Sequence, residues 1–255
     1  MALVKRSPVA TLRRTARRAA TWRPKTTGRE SLSVAELVSP LRYDVLVRAG
    51  LFALVEQQRA AGRGSDAEIV AAAREGAYAV WFEKVAMARF RPWVLQDRDL
   101  FEAQFAERVT RSVALWDSFR SGGFDTRHPV TLRGARSGLP TDSGAVVDRR
   151  VHVGDGGHRL ALLLASGQDL APGFYRVDHR PMGRLIDNTA TLIGPLGLSE
   201  AEHVAFLAQG YGAAGVDEVT DAETLVDHVR THSPGRLAEL TSVLAAQRRA
   251  AERAA

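Results

Sequence analysis

Hydrophobic residues recur along most of the chain at the spacing of amphipathic helices. Apolar positions three and four residues apart predict three long helices before residue 125. They run from Leu41 to Ala60, from Ser65-Asp66 to about Phe90, and from Asp97 to Ser121. Ser39-Pro40 is expected to begin the first helix, and Gly122-Gly123 to end the third. Aromatic residues at helical spacing in the second helix, such as Tyr78, Trp81 and Phe90, are expected to lie in the core.

The C-terminal third is also predicted to be helical. Ser199 and Glu202 form a capping-box pattern that begins a helix over 200–209. Two more helices are expected over 221–230 and from Ser233-Pro234 onward.

Strand-like patterns are confined to the middle of the chain, at His128–Arg133, Val146–Val153 and Gly173–Asp178. The first two are predicted to pair as a wide hairpin, joined by the Gly- and Ser-rich loop 134–144. Long loops often carry binding roles, so residues 133–143 are expected to cover a bound ligand. The fold class is therefore α+β, a small mixed sheet with helical N-terminal and C-terminal extensions. The predicted regions are a tail (1–29), a helical N-terminal region (30–96), a core (97–180) and a helical C-terminal region (181–255).

Composition limits the chemistry and the compartment. The 255 residues include no cysteine, which excludes disulfides, thiolate catalysis and cysteine-type zinc sites. No apolar run approaches the roughly 20 residues of a membrane span, and the N-terminus has no secretory pattern. A cytoplasmic protein is expected, and its oligomeric state is left open.

Positive charge is concentrated at the N-terminus. Residues 1–29 hold nine Lys or Arg and no acid; removing these nine from the 35 basic residues leaves 26 against 29 acidic ones. The body after residue 29 is therefore slightly acidic, although the whole chain has a formal charge of +6. The tail is predicted to be disordered, with an arm that touches nucleic acid or an anionic lipid surface as the alternative.

The segment with the densest chemistry is Gly154-Asp155-Gly156-Gly157-His158-Arg159, called here the glycine turn. A short β-branched strand precedes it and the apolar helix pattern Leu160–Ala165 follows. Glycines that begin a helix leave unpaired N–H groups at the positive end of the helix dipole, where an anion binds. Arg159 adds donors suited to phosphate. The alternative is a plain strand–turn–helix corner with a solvent-facing arginine.

Gly156-Gly157-His158-Arg159 resembles the nucleotide-binding signature of the ParB/sulfiredoxin superfamily. Upstream, Ser112–Phe124 and then His128-Pro129-Val130-Thr131-Leu132 resemble the helix, glycine and Pro-Val strand of the same superfamily. The resemblance spans residues 97–180. Gly157 stands where sulfiredoxins carry their reactive cysteine, so reduction of sulfinic acids is excluded. The Asp-Gly-x-x-Arg form at 155–159 is closer to the small-molecule kinase members than to the arginine-rich, CTP-binding chromosome-segregation members.

The resemblance implies a nucleotide-dependent phosphotransferase that acts on a hydroxyl-bearing small molecule, with ATP or another nucleotide and Mg²⁺ as cofactors. Asp155 would act as catalytic base or as ligand to the metal, with His158 as a second catalytic group. The nucleotide would be held by Gly154, Gly156, Gly157, His158 and Arg159. A second acid is often useful in such chemistry, and Asp117 or Glu107 is a candidate. His128 and His152 are not assigned a role.

Two alternatives remain. A ParB-like regulator bound to DNA would need a basic recognition helix, but acidic residues without intervening Lys or Arg follow the last capping box, at Asp217, Glu218, Asp221, Glu223 and Asp227. DNA binding would then depend on the tail. The other alternative is an accessory protein that binds a nucleotide without turnover.

Overall fold

The computed structural model describes residues 26–136, 138–147, 150–180 and 185–254, in which helices surround a small mixed sheet. The strands are β1 (Thr26–Thr27), β2 (Val130–Gly134), β3 (Leu139–Pro140), β4 (Val146–Val147), β5 (Val151–Asp155) and β6 (Tyr175–Asp178). The N-terminal helices are α1 (Val34–Val38), α2 (Tyr43–Ala60), α3 (Asp66–Arg74), α4 (Ala77–Trp81) and α5 (Arg98–Gly122). The later helices are α6 (Gly157–Ala165), α7 (Asn188–Leu196), α8 (Glu200–Gly210), α9 (Ala222–His232) and α10 (Leu237–Ala254).

The sheet confirms the α+β prediction. Its order is β1-β6-β2-β5; β2 and β6 run parallel and the other neighbours antiparallel. The prediction of one strand over 146–153 was wrong, because β4 pairs with β3 in a separate hairpin and only β5 pairs with β2. A tight turn favours this local pairing: the N–H of Thr141 donates to the carbonyl of Ala145 at 2.8 Å, around Gly144 at φ 87°.

The end of the predicted tail belongs to the fold. Thr26 and Thr27 form β1 at the sheet edge, antiparallel to β6. The N–H of Gly28 donates to the carbonyl of Tyr175 at 3.0 Å, and a Cβ at Gly28 would lie 1.9 Å from that tyrosine's ring. Glycine is therefore required there, and the boundary predicted at residue 29 was wrong. Residues 1–25 lie outside the described residues.

The first long helix begins later than predicted. Ser39 ends α1 instead of capping α2, and its hydroxyl donates to the carbonyl of Phe206 at 3.0 Å, in α8. Arg42 stands at the N-cap of α2. A side chain predicted to act locally is thus used by a tertiary contact between the N-terminal and C-terminal helices.

The second helix is interrupted. Ser65 and Glu68 form a capping box, which confirms the predicted start, but Gly76 is extended between α3 and α4. A π-helical turn at Phe82–Met87 then continues α4 into a last helical turn, Ala88–Phe90. The wider π turn shifts the helical phase. Trp81, before the π turn, is buried as predicted. Phe90, after the π turn, is 64% exposed, and its assignment to the core was wrong.

Helix α2 holds the layers together, because it packs on α6 as well as on α3, α4, α5 and α7. The buried apolar residues form one continuous core across the predicted regions. Within the described ranges, none of the helices is long and apolar enough to cross a membrane.

Candidate functional site

The glycine turn has the predicted strand–turn–helix geometry. β5 ends at Asp155, Gly156 adopts φ +106°, and α6 begins at Gly157. A Cβ at Gly156 would lie 3.1 Å from the Val130 side chain, so both the backbone conformation and the space require glycine. Among the described residues, no side chain caps the start of α6. The first N–H groups of the helix are therefore available to a ligand.

Arg159 is held against the protein more firmly than the sequence predicted. Its Nη1 donates to the carbonyl of Pro129, at 2.6 Å, and to that of His128. Its Nη2 lies 3.3 Å from Oδ2 of Asp155. Arg159 thus fixes the start of α6 to the segment before β2. Of the two terminal nitrogens of its guanidinium, Nη2 is the one near the exposed carboxylate of Asp155.

A cleft of about 510 Å³ lies beside the turn and is called here the α5–α6 cleft. Asp155, Gly156, Gly157, His158 and Arg159 line it. Facing residues come from α5 and from the chain that follows that helix: Arg108, Arg111, Ser112, Leu115, Phe119, Phe124, Asp125 and His128. The glycine turn therefore borders a cavity large enough for a small ligand.

Gly154, predicted to bind the nucleotide, does not line this cleft. A Cβ on Gly154 would lie 3.2 Å from the side chain of Arg133, on the neighbouring strand β2. Successive strand residues face opposite sides of a sheet, so Gly154 and Asp155 point apart. Gly154 therefore lies outside the α5–α6 cleft, unlike the other four residues predicted to bind the nucleotide.

Arg108 is a positively charged residue of the cleft that could not be identified from the sequence. It lines the cleft and makes no ion pair within the part of the chain that the structure describes. Arg111, one turn further along α5, also lines the cleft and pairs with Glu107 at 2.5 Å. The spacing of residues 108, 111, 112 and 115 places them on one face of α5. This spacing is visible in the sequence, but it indicates a site only once α6 is known to lie opposite α5.

A buried ion cluster lies beneath the turn. Asp44 is fully buried and pairs with Arg48 and, at 2.8 Å, with Arg42. Burial alone would raise the pKa of Asp44, but the two guanidinium groups bring that pKa well below its ordinary value. A Cβ at Gly157 would lie 3.0 Å from Nη2 of Arg42 and 3.1 Å from Nη1 of Arg48. Glycine at 157 therefore allows the start of α6 to approach these arginines.

His158 reports the electrostatic potential of the cleft. Burial, followed by the charges of Arg48 and Arg108, lowers the pKa of His158 to about 3. The imidazole is therefore neutral near pH 7 and accepts a proton poorly. His158 suits hydrogen bonding to a ligand better than acid–base work. The arginines that disfavour its protonation favour an anion in the same place.

Neither predicted second acid lines the cleft. Asp117 forms a two-point ion pair with Arg59, with Nη2 and Oδ2 2.7 Å apart, and Glu107 pairs with Arg111. The carboxylate that does line the cleft opposite Asp155 is Asp125, which the sequence did not single out. Hydrogen bonds from Arg127 lower the pKa of Asp125 to about 2, so it is ionised near neutral pH.

The loop 133–143, which was predicted to cover the ligand, lies away from the α5–α6 cleft. Thr141 and Ser143 hydrogen-bond to Asp187, before α7, and β4 packs on α10. None of the described residues from 133 to 143 lines the α5–α6 cleft. The loop therefore supports the C-terminal helices.

His152 is buried in β5, and His128 is exposed at the cleft. Burial, followed by the charges of Arg150 and Arg236, lowers the pKa of His152 to about 3. His152 is not among the residues that line the cleft.

The lowered pKa values of His152 and His158 should make folding stability depend on pH. Below about pH 6.5 the unfolded chain binds protons at both residues, whereas the folded chain binds them only near pH 3. Stability should therefore fall as the pH falls from 6.5 to 5, by about 1.4 kcal/mol per pH unit for each histidine. Urea unfolding across this range measures the slope. His152→Gln and His158→Gln should each reduce it. A slope that both variants leave unchanged would contradict the assignment.

Comparison with protein-family models, with curated proteins and with solved structures finds no match for this chain. The resemblance to the ParB/sulfiredoxin superfamily therefore depends on the motifs quoted above, and a functional assignment depends on the site itself.

Proposed function

We propose that the chain is a nucleotide-dependent phosphotransferase that acts on a hydroxyl-bearing small molecule. The observation that carries the proposal is the uncapped start of α6, which lies in a cleft with an exposed aspartate and with arginines from a second helix. Phosphoryl transfer requires positioned phosphates, neutralised charge and a group that orients the attacking hydroxyl. Residues suited to each of these requirements line this cleft.

The phosphates would be bound by the N–H groups of Gly157 and His158 and by the guanidinium groups of Arg108 and Arg111. Arg108 has no competing ion pair among the described residues, so its charge is available to a ligand. Neutral His158 adds a hydrogen-bonding group at the same helix end.

Asp155 would orient and deprotonate the acceptor hydroxyl. Its side chain is 77% exposed, and only Oδ2 faces Arg159. Oδ1 is therefore open to the acceptor or to a cation.

Mg²⁺ fits this donor set. The described residues contain no cluster of three or more metal-ligating side chains. Mg²⁺, however, is commonly held by one or two carboxylates together with substrate phosphates and waters. Asp155 would hold it, with Asp125 as the other carboxylate in the cleft. When bound, Mg²⁺ would neutralise charge on the phosphates.

A nucleotide-binding accessory without turnover is the second candidate. The commitment of Arg159 to backbone carbonyls and the pairing of Asp125 with Arg127 favour it, because both leave fewer groups for catalysis. Binding of a nucleotide that stays intact with Mg²⁺ and candidate acceptors would select this candidate. A DNA-bound regulator is less well supported, since exposed acids such as Glu223 and Asp227 lie on α9.

Arg108→Ala tests the phosphate site. Loss of one charged hydrogen bond is expected to weaken binding of nucleoside triphosphates by roughly 1.5–3 kcal/mol, about 10- to 100-fold in Kd. Calorimetric titration measures the affinity. Arg120→Ala is the matched control on the same helix, since Arg120 pairs with Glu56 and does not line the cleft. Equal affinities for the wild type and Arg108→Ala would contradict the phosphate site.

A further inference from the structure

A second cavity adjoins the α5–α6 cleft along the same helix. This cavity of about 200 Å³, called here the Phe90 hollow, is lined by Phe82, Ala86, Met87, Phe90, Arg91 and Gln104, together with Glu107. Arg108 and Arg111 line both cavities. The two spaces therefore share a wall made of the two arginines assigned to the phosphates.

The residues of α5 that line the two cavities show how long the combined groove is. Gln104 lies at one end and Phe119 at the other, about 22 Å apart at the rise of an α-helix. The Phe90 hollow is at the Gln104 end of this groove, and the glycine turn lines the other cavity. A ligand with its phosphates at α6 could continue past Arg108 into this hollow.

Phe90 is unusual for an aromatic residue because 64% of it is exposed. The π-helical turn Phe82–Met87 carries it out of the core and supplies the wall of the hollow. Such turns in α-helices occur frequently at functional sites. Exposed aromatic faces beside arginines are the surfaces on which nucleic-acid bases stack.

The far end of the α5–α6 cleft is less suited to a base. Its apolar residues include Phe119, which is buried, and Phe124. The Phe124 ring is already stacked on Phe174, at 4.2 Å between centroids and 8° between planes. This end is better suited to an acceptor molecule near Asp155.

We propose that the bound nucleotide lies along α5, with its base stacked on Phe90 in the hollow and its phosphates at the start of α6. This inference rests on the proposed function, because it takes the phosphate site as given. Arg91 donates to Oε1 of Gln104 at 2.9 Å, so the Gln104 amide would offer its N–H groups to acceptors on a base. The ligand class is a nucleoside polyphosphate rather than inorganic polyphosphate.

Phe90→Ala in the full chain tests the base site. The probes are ATP, CTP, GTP and UTP, each with Mg²⁺, and inorganic tripolyphosphate, measured by calorimetric titration. Phe90→Ala should weaken binding of the preferred nucleotide by about 10-fold or more, since stacking on an aromatic side chain contributes that much per base. Tripolyphosphate should bind unchanged, and Phe90→Tyr should restore nucleotide binding. Trp93→Ala is the matched control, since Trp93 is 58% exposed and does not line the hollow.

Four results would overturn the proposal, and they separate its failure from that of the phosphate site. Unchanged nucleotide affinity in Phe90→Ala, or an equal loss for tripolyphosphate, would show that the base does not bind in the hollow. Neither result would contradict the phosphate site. A loss in Phe124→Ala instead of Phe90→Ala would reverse the direction of the nucleotide. Failure of the wild type to bind either tripolyphosphate or any of the four nucleotides would overturn both proposals.

Discussion

Asp155→Asn is expected to lower phosphoryl transfer by at least about 100-fold, the lower limit for loss of a general base. The substitution keeps the shape of the side chain and removes the charge that would accept the proton. Release of the nucleotide product with Mg²⁺, with water or a screened hydroxyl compound as acceptor, measures turnover. Nucleotide affinity measured without Mg²⁺ should stay equal or increase, because Arg159 loses the carboxylate 3.3 Å from its Nη2. The predicted signature is therefore a fall in kcat without weaker binding of the metal-free nucleotide.

Asp169→Asn provides the control for this prediction. Asp169 is an exposed acid after α6 and does not line the cleft, so its variant should turn over like the wild type. Normal turnover by Asp155→Asn would show that the base assignment is wrong. Tight nucleotide binding by a wild type that never turns over would favour the accessory role.

Asp44→Ala is expected to destabilise the fold by about 3–5 kcal/mol, the usual cost of removing one partner of a buried ion pair. The reason is that Arg42 and Arg48 would remain buried beneath α6 without their carboxylate. The midpoint of urea unfolding measures the loss. Failure to recover folded protein would agree with the prediction, and an unchanged midpoint would contradict it.

Asp117→Ala is the matched control for the buried cluster. Asp117 also pairs with an arginine, Arg59, but the two side chains are 44% and 36% exposed. An exposed pair contributes about 0–1 kcal/mol. The difference between the two variants therefore isolates the effect of burial from the effect of charge.

Local features of the fold could be predicted from the sequence. The helix start at Ser65 and the capping box at Ser199 lie where the pattern placed them, because each depends on residues within one helical turn. The glycine turn could also be predicted, because Gly156 and Gly157 satisfy backbone and close-packing needs at adjacent positions.

Features that depend on tertiary contacts could not be predicted. Ser39 resembles a helix cap, but its hydroxyl bonds to a carbonyl 167 residues away. Arg108 faces the cleft only because α5 lies opposite α6, and nothing near Phe90 in the sequence reveals the π-helical turn that exposes it. The candidate site thus combines a turn that the sequence reveals with a helix face that it does not.

The contacts that the segment between α1 and α2 makes with α7 and α10 have a consequence for synthesis of the protein on the ribosome. The side-chain amide of Gln247, in α10, donates to the carbonyl of Pro40 at 3.2 Å, and the N–H of Asn188 donates to that of Leu41 at 2.9 Å. The N-terminal helices emerge from the exit tunnel long before these partners are translated. Their apolar faces therefore remain open on the nascent chain, and we expect a dependence on chaperones that is relieved once α10 has emerged.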